Sequence, residues 1–95
     1  LIIAQQQERG RRAQGLLEDE LLQEALKAIS DEVAAQWIAC PARDKEGKEA
    51  LWQLAKTADK FKAVLIGYVQ TGKLATEQLK RYEKESLLQR AMNRL

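Results

Sequence analysis

Histidine is absent from this chain, cysteine and proline occur once each, and serine appears only at Ser30 and Ser86. General acid-base work usually recruits histidine, and nucleophilic catalysis needs a serine, cysteine or threonine beside such a base. Cys40 has no such partner. Its place on an apolar helical stripe predicts a small buried hydrophobe rather than a reactive thiol. The carboxylates at Asp19, Glu20, Glu24, Asp31 and Glu32 are interleaved with Lys27, as on a solvated helix face. No catalytic residue is expected, and the chain reads as a non-enzyme.

The same shortages remove metal and cofactor chemistry from the expectations. A zinc site wants His and Cys ligands, and a calcium loop wants oxygen ligands at alternating positions closing on a Glu. Neither spacing occurs, and Asp44-Lys45-Glu46-Gly47 matches only a fragment of a calcium loop. Gly47-Lys48 and Gly72-Lys73 lack the glycine-rich frame of a phosphate-binding loop. No metal and no cofactor are expected. A lone cysteine cannot form an intrachain disulfide, which points to a reducing cytosol. No apolar run approaches the ~18 residues of a membrane span, and Leu1-Ile2-Ile3-Ala4 is too short for a signal-peptide core, so no membrane association is expected. The opening on Leu1 rather than Met predicts that further sequence precedes it.

What remains is helix-forming sequence. Pro41 is the single proline and 45% of residues are apolar, which favours long uninterrupted helices and an all-α protein. A chain of 95 residues suits one small domain. Such a domain buries only somewhat over ~60% of its unfolded surface, so association is expected to support it.

Residues 1–15 form a polar N-terminal arm interrupted by Gly10 and Gly15, each costing roughly 1 kcal/mol inside a helix; the arm is expected to be helical only if docked. A single helical domain, 16–95, follows. Leu22, Leu26, Ile29, Val33 and Trp37 fall on one narrow stripe of a helix from about 18 to 39. Acidic Glu18, Asp19 and Glu20 suit its first turn, and Pro41 disfavours helix at Cys40. Asp44 is placed to cap a second helix, about 45–71, which turns back to make an antiparallel hairpin. There Leu51, Ala58 and Leu65 occupy one heptad position and Leu54, Phe61 and Tyr68 the other, a coiled-coil-like seam. Gly72 reads as its stop, and Thr76 with Glu77 as the start of a C-terminal helix, about 76–94.

That last helix shows two faces in succession. Ala75, Leu79, Tyr82 and Ser86 share one side, whereas Leu88, Ala91 and Leu95 lie roughly half a turn away. Contact with a second body is the expected cause, because Leu87, Leu88, Met92 and Leu95 would otherwise be exposed. Trp37 and Trp52 flank the hairpin turn and are expected to anchor the closed end. Trp52 lies off the main stripe, so it also joins the expected protein interface with those four residues.

Charge is nearly balanced. Sixteen Lys and Arg face 14 Asp and Glu, and a net charge of +2 does not by itself predict nucleic-acid binding. Two local clusters support the alternative of a nucleic-acid-binding accessory: Arg9, Arg11 and Arg12 in the arm, and Lys80 and Lys84 in a C-terminal segment carrying six basic and three acidic residues. Acidic residues interrupt that segment, and no helix-turn-helix signature precedes it.

The stretch Leu16-Leu17-Glu18-Asp19-Glu20-Leu21-Leu22-Gln23-Glu24-Ala25, with Trp37, Pro41-Ala42-Arg43-Asp44, Gly47-Lys48-Glu49-Ala50-Leu51-Trp52 and Thr71-Gly72-Lys73-Leu74-Ala75, resembles a group of small helical proteins of tailed phages and prophages. These are mostly of unassigned function and are met among head-assembly and DNA-packaging genes. The resemblance covers about two-thirds of the chain and rests on structural punctuation, so it carries over no site residues. It implies a structural or assembly protein of the virion, in the virion or the host cytoplasm. Its partners would be further copies of itself or a larger phage assembly. A small inhibitor of a host protein is a further alternative.

Overall fold

The computed structural model describes residues 2–94, and among them it forms three helices and no strand: α1 (Ile3–Glu18), α2 (Glu20–Ala39) and α3 (Lys45–Asn93). The all-α hairpin is present, and its two caps are aspartates. The Asp19 carboxylate accepts from the Leu22 N–H at 3.0 Å, and the Asp44 carboxylate from the Gly47 N–H at 2.9 Å. Each supplies an acceptor to a helix terminus whose amides have no partner within the helix. Between them the Pro41 carbonyl accepts from the Asp44 N–H at 3.0 Å, closing the turn.

Gly72 does not end a helix. The second expected helix and the C-terminal one are a single 49-residue α3, and no glycine of the described residues has positive φ. The reason is the N-terminal segment, which docks as α1 across this point. A Cβ on Gly72 would sit 3.0 Å from the Gly10 Cα and 3.1 Å from the Gln6 carbonyl oxygen. Glycine here serves close backbone approach rather than a left-handed turn. The polar arm forms a helix in spite of Gly10 because that glycine lets it dock. Gln7 Nε2 donates to Thr76 Oγ1 at 3.0 Å, and the Arg9 guanidinium lies 4.2 Å from the centre of the Tyr68 ring. Pairing 7 with 76 and 10 with 72 makes α1 antiparallel to α3.

α1 and α2 are nearly one helix, broken by Asp19 in an extended conformation. Gln23 Nε2 bridges the break by donating to the Leu17 carbonyl at 2.8 Å. Together the two return along α3. Leu51 and Leu65 are buried and Ala58 half-buried on the inward side of α3, as the heptad spacing predicted, and Gly72 extends the series. The second heptad set is different. Leu54 and Phe61 remain 46% and 49% exposed, and only Tyr68 is partly covered, with Arg9 over its ring. α2 and α1 approach over Ala55, Val69 and Thr76 instead, four residues on from the first set rather than three.

The tryptophans are not core anchors. Trp37 and Trp52 are both exposed, with Lys48 and Lys56 ammonium groups 4.1 and 5.6 Å from their ring centres. Such contacts cover an aromatic face without removing it from water. Cys40 is half-buried at the end of α2, its thiol 3.8 Å from the Pro41 carbonyl.

The result is a rod of 78 × 26 × 17 Å. Its radius of gyration of 21.8 Å compares with about 12 Å for a compact chain of this length. α1 begins beside Leu79 and Tyr82, so from Glu83 onward α3 extends alone for about 16 Å at 1.5 Å per residue.

Candidate interaction surface

Only Ala13, Leu51, Leu65 and Ala75 form a buried apolar core among the described residues, and α2 buries nothing. Apolar side chains in excess of that core lie on three surfaces: the two flanks of the hairpin and the free end of α3.

At about 100° per residue, the two sides of the α2 stripe differ in composition. One side carries Gln23, Lys27 and Ser30, which border a groove of about 500 Å³ shared with Ala55, Asp59 and Lys62 of α3. Leu22, Leu26, Ile29 and Val33 form its floor, each half-buried. Charged groups rim this groove; Lys27 reaches Asp31 at 2.7 Å. That hydrogen bond, with the attraction of the carboxylate, raises the Lys27 ammonium above the usual lysine range.

The opposite flank is uncharged on α3. Ala50, Leu54, Thr57, Phe61, Val64 and Tyr68 recur at spacings of four, three, four, three and four, so they form one strip. On α2 the matching strip holds Leu21, Ala25, Ala28, Glu32, Ala35 and Ala39, with Glu32 its single charge. The two strips share a side, since Ala39 borders Ala50 and Leu54. Leu16 of α1 continues it beside Leu65 and Tyr68.

The free end of α3 carries the residues expected at a protein interface. Leu87, Leu88 and Met92 are exposed there, Met92 at 71%. Trp52, also exposed, lies far from them along α3, so the structure does not gather the expected interface into one patch. Leu95 lies outside the described residues. Phe61, Leu54, Val64 and Leu21 were absent from the expected interface, although the heptad series through Leu54 and Phe61 was visible in the sequence.

The expected basic cluster is divided. Arg9 and Arg12 border the side with Leu16 and Tyr68, whereas Arg11 lies on the other side of α1 with Lys73 and Lys80. Arg11 is also paired with Glu8 at 2.6 Å. The hydrogen bond from Arg11 holds the Glu8 carboxyl below the usual glutamate range, and the same bond raises the guanidinium. Lys84 stands on the exposed end of α3. Among the described residues no group of three or more His, Cys, Asp or Glu gathers to hold a metal, and no helix is long and apolar enough to cross a membrane.

No known protein family, curated protein or solved structure matches the chain. Function must therefore be argued from these surfaces.

Proposed function

We propose that this chain is a non-enzymatic structural or assembly protein that works through helix-mediated protein contacts. The observation that carries this reading is the imbalance between core and surface. Four apolar residues are buried, two of them alanines, while sixteen large hydrophobic side chains of the described residues are exposed. Single exposed apolar residues are ordinary, but this many beside so small a core leave apolar surface available to a partner. Helices in this state bury their apolar face in a groove or against a neighbouring helix.

The resemblance to small helical proteins of tailed phages supplies the setting: a head, portal-associated or packaging accessory protein, in the virion or the host cytoplasm. In that setting the free end of α3 engages a neighbour through Leu87, Leu88 and Met92. Replacing Leu88→Glu and Met92→Glu together is expected to lower the assembled mass while leaving helicity unchanged. Unchanged assembly would remove the free end from the interface. Salt-dependent DNA binding that weakens in Lys80→Ala and Lys84→Ala would favour a nucleic-acid-binding accessory instead.

A further inference from the structure

Resting on the assembly reading, we infer that the uncharged flank of α3 is the interface of an antiparallel homodimer, with the two-fold axis level with residue 59. A two-fold interface uses the same patch on both chains and must be complementary to itself. The strip from Ala50 to Tyr68 meets that condition in the antiparallel sense. Its four-three spacing then sets Ala50 against Tyr68 of a second copy, Leu54 against Val64, and Thr57 against Phe61. Each layer joins a smaller residue to a larger one or two of middling size, the pattern that lets helices interlock. No charged residue of α3 interrupts the strip; the charges beside it are Glu32 of α2 and Arg9, whose guanidinium already lies over the Tyr68 ring.

Area favours a second copy over a small ligand. The chain exposes 7977 Å² at a mass of 10.8 kDa, whereas a compact protein of that mass exposes roughly 5,500 Å². The excess, spread over the whole rod including the free end of α3, is roughly three times the ~800 Å² that each partner contributes to a standard stable interface. Phe61 stands near the centre of the strip and is its most exposed aromatic side chain, at 49%. In the dimer the free ends of α3 point to opposite ends of the rod, leaving Leu87, Leu88 and Met92 open to other partners.

The test is disulfide trapping in a Cys40→Ser background. Leu54→Cys with Val64→Cys is expected to give an oxidised, reducible dimer. The two positions are about 15 Å apart along one helix, too far for an intrachain bridge. Trp52→Cys with Ile66→Cys places thiols symmetrically about the same level, residue 59, on the opposite flank and is expected to remain monomeric on a non-reducing gel. Phe61→Glu, checked for retained helicity, should weaken dimerisation by about thirty-fold or more, as for a central interface residue. Trapping through positions 52 and 66 instead, or an oligomer that neither pair traps, overturns this interface and leaves the assembly reading standing. A chain of these 95 residues that stays monomeric overturns self-association and confines the assembly reading to a different partner.

Discussion

The two helices that lie along α3, α1 and α2, invert the usual relation between apolar sequence and burial. α1 is rich in Gln, Arg and Gly, yet Gly10 is buried against Gly72 of α3 and Ala13 is buried beside Leu65 and Tyr68. α2 carries the better stripe, in Leu22, Leu26, Ile29 and Val33, and leaves each of them only half-buried. The distance between helix axes follows the size of the side chains at the contact. Where glycines meet, backbones touch and the contact closes. Where Leu and Ile meet Ala55, Ala58 and Lys62, a groove remains. An apolar helix is therefore completed within the chain only if the seam residues opposite fit it; otherwise its apolar surface is available to a partner.

Substitutions along each contact should separate these two behaviours. The largest loss is expected from Leu65→Ala, about 2–4 kcal/mol in denaturant unfolding at fixed protein concentration, because the site is buried between α1 and α3. Gly72→Ala comes next. Alanine improves helix propensity by about 1 kcal/mol, but its Cβ would press on backbone of α1, which cannot yield as a side chain would. A net loss of about 1–2 kcal/mol follows, and a stabilised Gly72→Ala would contradict the crossing. Leu26→Ala, on the groove floor, should cost only about 1 kcal/mol, since the side chain is half-exposed.

Gly15→Ala is the counterpart of the crossing glycines, because a Cβ there meets nothing within 4 Å. It should stabilise the chain by about 0.5–1 kcal/mol, raising the denaturation midpoint. The smallest effect concerns pH. Glu8 is held below its ordinary range in the folded chain by Arg11. Its contribution is present above the unfolded glutamate value and is lost as pH falls through the lowered folded one. The pair is exposed, so Glu8→Gln should only slightly flatten the acid limb of a thermal-melting profile.

Helix type, the hairpin turn and the Asp44 cap were legible because they are local: Pro41 and the position of Asp44 decide them. Asp19 reads in the sequence as part of a first turn beginning at Glu18, whereas Glu18 closes α1 and Asp19 caps α2 from outside it. Gly72 was not. A glycine that stops a helix and one that admits a neighbouring backbone look alike until Gly10 is known to lie opposite. The heptad spacing in α3 was legible, but not its division. Leu51 to Leu65 faces the chain's own helices and Leu54 to Phe61 does not, because one helix carried two stripes and only three-dimensional approach shows which is covered. Trp37 and Trp52 misled for a related reason, since proximity to a turn does not ensure that anything packs beyond it. The exposed end of α3 was visible in the sequence as a shift of the apolar face after Ser86.

The most direct test of an incomplete core is the light-scattering mass of the 95-residue chain across a concentration series, at low and high salt. A stable multiple of 10.8 kDa that persists in high salt is the predicted result, because apolar contacts are not screened as charges are. A well-folded, fully helical monomer at every concentration and salt would contradict the claim that a second copy covers these surfaces.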